Sequence, residues 1–175
     1  MASEDLERLV QLMPPPPDPI DSIGDWHAVE SQINTRLPDD YKSFIELYGT
    51  GRIAGLLWPL NPFSSNKFLN LLHQCSLILD TERSLRDEFP KYHPWPLFPE
   101  SDGLFPWCTT DNGDYILWRT KGDPNNWTTF IYEIRGTTRQ DCPYGVSSFL
   151  YRWLIGDIEV EIFDREPIFE QNPVY

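Results

Sequence analysis

The sequence predicts an α+β domain in which helices pack on one face of a mainly antiparallel sheet. Apolar residues recur at helical spacing in the first half of the chain, and short strand patterns separated by turn residues fill most of the second half. The chain has 175 residues, 40% of them hydrophobic and 14% aromatic, which suffices to bury one core without a metal or a disulfide. We therefore expect a single domain of this class.

Residues 1–19 are predicted to form a helix followed by a stiff proline spacer. Ser3 is a suitable N-cap for a helix over 3–12, and the prolines at 14–17 would end that helix because proline lacks the amide hydrogen. The helix would share one apolar face, formed by Leu6, Leu9, Val10 and Met13. Because the proline run interrupts the backbone hydrogen bonds, we expect few contacts between this region and the domain predicted over 20–175.

Three further helices are predicted in the first half. One covers 25–36, and the next begins at Pro38, where a missing N–H costs nothing, and ends at Gly49. A long helix follows over 66–89, and a change of phase in its apolar residues predicts a kink near Asp80. Between these helices, the apolar run over 52–60 favours a short strand.

The second half is predicted to consist mostly of strands. Strands over 105–109 and 115–120 would flank a hairpin turn at Asn112-Gly113, and Trp107 and Trp118 on them are expected to be core residues. Further elements are a strand over 127–134, a short helix over 148–154 capped by Ser147, and a final strand over 158–163.

The charge of the chain limits its partners. The formal net charge is −13, with no basic run, so we expect neither nucleic acid nor an anionic membrane surface to bind. The acidity favours a basic protein partner reached by electrostatic steering, although solubility alone would also explain it.

The N-terminus lacks the apolar stretch of a signal peptide and the three cysteines suit a reducing compartment, which predicts a cytoplasmic protein.

No catalytic motif stands out. The three histidines are scattered without metal-ligand spacing, so neither a metal nor another cofactor is expected. Cys108 and His93 form the only nucleophile pairing that the sequence offers, and a buried core cysteine is the favoured interpretation of Cys108. We therefore expect a protein that is not an enzyme.

One acidic pattern remains. Over 158–163 apolar and acidic residues alternate, which would place Glu159 and Glu161 outward on one strand, and residues 157–170 carry a net charge of −5. We predict a partner-binding surface of Asp157, Glu159, Glu161 and Asp164, called the acidic surface below. The alternative is that the charges keep an exposed edge strand from pairing with another strand. The two interpretations are compatible. The aromatic loop over 92–98 is the next candidate.

A set of ordered motifs spans about residues 22–163 and comprises 26–30, 37–44, 48–51, 104–107, 112–114, Trp118, Trp127, 148–150, Trp153 and Leu154. Together these motifs resemble the SUKH superfamily, which contains bacterial immunity proteins and fungal cell-wall regulators of the Smi/Knr type. The resemblance implies an α+β domain that neutralises a cognate toxin, often a nuclease, by binding it. The alternative that stays open is a scaffold or regulatory role, as in the fungal relatives. The resemblance carries no catalytic residue and indicates no oligomeric state.

Overall fold

The computed structural model describes residues 3–172 and contains five α-helices, one short 3-10 helix and a seven-stranded antiparallel sheet. The helices are α1 Glu4–Leu12, α2 Trp26–Ile33, α3 Asp39–Tyr48, α4 Leu71–Glu88 and α5 Val146–Ile155, and the 3-10 helix is Pro124–Asn126. The strands are β1 Arg52–Ile53, β2 Leu57–Pro59, β3 Leu104–Thr110, β4 Tyr115–Arg119, β5 Thr128–Tyr132, β6 Arg139–Cys142 and β7 Phe169–Glu170. Their order across the sheet is β6-β5-β4-β3-β2-β1-β7. The predicted fold class is confirmed.

Local capping residues set most of the helix limits as predicted. The Ser3 side chain accepts a hydrogen bond from the Leu6 amide at the start of α1, and Asp25 caps α2 in the same way. Gly49 ends α3 with a φ of 66°. The helix α2 ends earlier than predicted because Asn34 adopts a left-handed conformation with a φ of 54°.

The helix α4 differs from its prediction at its start and in its middle. It begins at Leu71, because Asn70 caps it and accepts a hydrogen bond from the His73 amide. It is uninterrupted near Asp80, where a kink was expected. The buried face of α4 continues there through Glu82, which is only 5% exposed. Because Glu82 is acidic, the pattern of apolar residues alone does not show that this position is buried.

Two strand predictions need correction, and two strands were missed. The predicted strand over 52–60 is two short strands, because Ala54 and Gly55 both have positive φ and reverse the chain. Residues 158–163 form turns and irregular structure rather than a strand. The strands β6 and β7 were not predicted, and both lie at the edges of the sheet.

The core consists of two apolar clusters on opposite faces of the sheet. The larger one joins α1, α2, α3, α5 and part of α4 to the sheet, and it contains Trp107 and Trp118, each 0% exposed, as predicted. The smaller cluster contains the alternate residues of β3, β4 and β5, whose side chains point to the other face of the sheet. Leu79 of α4, Trp95 and Leu97 pack on these side chains. None of the helices in residues 3–172 is long and apolar enough to cross a membrane.

The first helix is part of the larger cluster. Leu6 and Leu9 are 0% exposed and Met13 is 1% exposed, and α1 packs along α5. The Tyr48 hydroxyl donates a hydrogen bond of 2.5 Å to the Met13 carbonyl. The expectation of few contacts across the proline run is therefore wrong, because the spacer brings α1 back onto the core.

The start of α5 is capped from another helix. Ser147 was the predicted cap, but it lies inside α5, which begins at Val146 and has Gly145 as its N-cap residue. The Ser147 amide instead donates a hydrogen bond of 3.0 Å to Oδ2 of Asp40 on α3. Burial raises the pKa of the Asp40 carboxyl above its ordinary value, against the hydrogen bonds from Ser147 and Tyr41 that lower it.

Candidate functional site

The acidic surface lies on the irregular segment that follows α5. Gly156 ends α5 in a left-handed conformation with a φ of 86°. The segment is then anchored by Val160, which is 4% exposed, and Phe163, which is 6% exposed and meets the Trp153 ring edge-on at 5.7 Å. Its buried residues thus follow a spacing of three, set by the turn between the Val160 carbonyl and the Phe163 amide, and not the predicted alternation.

The four predicted side chains are all exposed. Glu159 is 78% exposed and pairs with Arg165 at 3.3 Å, and Asp157 pairs with Arg152 at 3.5 Å. Within residues 3–172, Glu161 and Asp164 form no ion pair. Exposed ion pairs contribute little stability, so these carboxylates are not required for folding and stay accessible to a partner.

The acidic surface borders one edge of the sheet. The Gln140 side chain on the edge strand β6 donates a hydrogen bond of 2.8 Å to the Glu159 carbonyl. Charged residues beside an edge strand oppose pairing with another strand. This position agrees with the alternative interpretation of the acidic pattern, and it also leaves the carboxylates facing solvent.

Sequence reasoning missed one extension of this surface. Arg152 on α5 forms ion pairs with Asp157 and, at 3.4 Å, with Asp5 in the first turn of α1. Glu4, in the same turn, has a side chain that is 75% exposed. Acidic residues in the first turn of a helix stabilise the helix dipole, which already accounts for Glu4 and Asp5 in the sequence. No sequence pattern connects Asp5 with Arg152, 147 positions later.

The buried groups do not form a catalytic site of the kinds considered. All three cysteines are free and buried, and burial raises the pKa of the Cys75 and Cys108 thiols and that of Cys142 to about 11, so none is a thiolate at neutral pH. His93 contacts Glu82 and Tyr132 rather than Cys108. Among the described residues, no group of three or more His, Cys, Asp and Glu could hold a metal ion.

The concave features of the surface are shallow or small. An open groove of about 620 Å³ lies between the end of α2 and α4, and Asp80 and Arg83 in its lining pair with each other at 2.9 Å. The enclosed cavity beside Glu82, His93 and Tyr132 has about 10 Å³, room for one water at most. Neither resembles a site that encloses a substrate.

Comparison with known proteins gave one finding. The sequence model of the SUKH_6 family, described as SMI1-KNR4 cell-wall, matches residues 23–150, which is well over half of the chain. Neither the curated proteins nor the solved structures contain a match. The matched range includes α2 to α4, β1 to β6 and the first half of α5, and it leaves α1 and the acidic surface outside.

Proposed function

Since the chain belongs to the SUKH_6 family of the SUKH superfamily, we propose that it is a non-enzymatic binding protein of the cytoplasm that neutralises a cognate bacterial toxin. The superfamily resemblance stated above supports an immunity role, and the family carries no catalytic residue to transfer. The scattered histidines and buried, protonated thiols agree with a protein that acts by binding.

The observation that carries the proposal is the exposed acidic surface held on two buried anchors. Val160 and Phe163 fix the backbone, so the carboxylates around them are presented with little loss of conformational freedom on binding. A chain of net −13 with an accessible acidic segment attracts a basic partner, such as the groove with which a nuclease holds its substrate. The surface lies outside the family match, which suits a partner specific to this chain.

A regulatory or scaffold role is the second candidate. The description of the family as SMI1-KNR4 cell-wall favours this role. The neighbouring genes separate the two roles. An immunity protein is encoded beside a toxin domain, whereas a regulatory protein is not expected to be.

The test uses the toxin domain encoded next to this chain and the double variant Glu159→Lys with Glu161→Lys. Both side chains are exposed, so the variant should fold normally. We expect it to lose neutralisation of the toxin and to bind at least about tenfold more weakly, because two contacts change from attraction to repulsion.

The matched control is Asp87→Lys with Glu88→Lys, which changes the net charge by the same amount at the exposed end of α4. It should neutralise like the wild type. Equal losses in both double variants would show that overall charge, and not the acidic surface, supports binding. Unchanged binding in the first variant would place the interface elsewhere.

A further inference from the structure

A groove on the smaller-cluster side of the sheet carries the opposite charge to the rest of the chain. It has a volume of about 390 Å³ and lies between residues 91–95 and the β5–β6 connection. The cations Lys91 and Arg139 line it together with the His93 ring, and no carboxylate lies among the described residues of its lining. In a chain of net −13, this groove is a local cationic site.

Aromatic rings form the floor of this cationic groove. The Trp95 and Tyr132 rings meet edge-on with centroids 5.6 Å apart. The Arg139 guanidinium lies 3.7 Å from the Tyr132 centroid and 5.4 Å from that of Trp95, and its buried Nε has no hydrogen-bond partner among the described residues. Tryptophan, tyrosine and arginine are the residues that most often dominate binding energy at interfaces.

The floor is held rigidly from beneath. His93 Nδ1 lies 3.0 Å from Oε2 of Glu82 on α4 and 3.1 Å from the Tyr132 hydroxyl on β5. Because Glu82 is 5% exposed, this contact ties the loop to the buried part of the molecule. A site formed before binding costs less conformational entropy when a partner docks.

The rim of the groove adds apolar surface. Tyr92 is 73% exposed and Ile134 is 38% exposed, and Lys91, which precedes Tyr92 in the chain and also lines the groove, is exposed. The nearby Glu133 carboxylate is engaged by Thr138, whose hydrogen bonds lower the pKa of Glu133.

We propose that the cationic groove docks a polypeptide segment that carries carboxylates beside an aromatic or aliphatic side chain. The carboxylates would pair with Lys91 and Arg139, and the apolar side chain would lie between Tyr92 and Ile134. A basic partner is repelled here, so this site is distinct from the acidic surface. The cations are too few, within so acidic a chain, to hold a nucleic acid.

The test selects a random peptide library displayed on phage against the full chain. Peptides that also bind the double variant Tyr92→Ala with Lys91→Glu are discarded. Both side chains line the groove and are exposed, so this variant keeps its fold. We expect the retained peptides to be enriched in Asp or Glu next to Phe, Tyr, Leu or Ile. A fluorescent copy of one such peptide should bind the double variant at least about tenfold more weakly than the wild type.

Lys121→Glu, at an exposed turn away from the groove, is the control for charge and should leave the peptide's dissociation constant unchanged. Retained peptides that are basic or uncharged, or a selection that yields no peptide sensitive to the double variant, would overturn the proposal. So would a concentration-dependent dimer, detected by sedimentation, that the double variant abolishes, because the occupant would then be a second copy of this chain.

Discussion

At the scale of single residues, Asp40 shows how one carboxylate joins two helices. It accepts a hydrogen bond from the Ser147 amide at the start of α5 while it belongs to the first turn of α3. Burial is the main cause of its raised pKa. The folded protein therefore holds this proton to a higher pH than the unfolded chain, and the stabilisation is complete below the ordinary pKa of 3.8 and is lost as the pH rises through the folded value.

This sign gives a prediction for Asp40→Asn, which keeps an acceptor oxygen for the Ser147 amide but does not titrate. The difference in unfolding free energy between variant and wild type should move in favour of the variant as the pH rises from about 4 to about 6. Urea denaturation at a series of pH values measures this difference in unfolding free energy. The contributions of the other carboxylates cancel in the difference, because both proteins contain them. A difference that stays constant with pH would show that Asp40 does not titrate differently on folding.

The second residue-scale prediction concerns Trp118. Its ring is fully buried and contacts Tyr41 edge-on at 5.0 Å, Phe105 at 5.5 Å and Trp127 at 5.6 Å. Trp118→Ala should lower the free energy of unfolding by about 3–5 kcal/mol. The control Leu77→Ala, at an exposed position of α4, should change it by about 0.5 kcal/mol or less. Similar small effects of both changes, measured by urea denaturation, would contradict this packing.

At the scale of elements, α1 behaves as part of the core and not as an appendage. Leu6→Ala and Leu9→Ala should each cost about 2–5 kcal/mol, whereas Gln11→Ala on the exposed face should have little effect. A chain beginning at Ile20 should melt well below the full chain, because it exposes the surface that α1 covers. A melting temperature within a few degrees of the full chain would support the sequence-based division at residue 19 and contradict the docking.

Elements with strong local signals could be predicted, and elements set by distant contacts could not. Ser3, Asp25 and Gly49 act within one turn of their own helices, so the limits they set follow from the sequence. The edge strand β7 depends on a partner far along the chain, since Arg52 pairs with Glu170. The edge strand β6 forms a local hairpin with β5, but its sequence Arg-Gln-Asp-Cys has no alternation of apolar residues that would predict a strand. The segment over 158–163 alternates like a strand, but Val160 and Phe163 are both buried in the larger cluster, where the Phe163 ring contacts Trp153.

At the scale of the whole molecule, two surfaces of opposite charge flank the edge strand β6. On β6, the Gln140 side chain donates a hydrogen bond to the Glu159 carbonyl of the acidic surface. The preceding residue of β6, Arg139, points to the other face of the sheet and lines the cationic groove. The exposure of the four acidic residues could be predicted from their charge alone. The groove could not, because it combines residues from the aromatic loop with strands 40 positions later in the chain.

The central claim is that the acidic surface contacts a basic partner, and the salt dependence of association tests it most directly. The association rate constant with the toxin domain encoded beside this chain is measured from low to high ionic strength, for the wild type and for Glu159→Lys with Glu161→Lys. We expect the wild-type rate to fall steeply as screening shortens to about 8 Å near physiological salt, and the double variant to start lower with a much weaker slope. Identical slopes for the two proteins would contradict the claim.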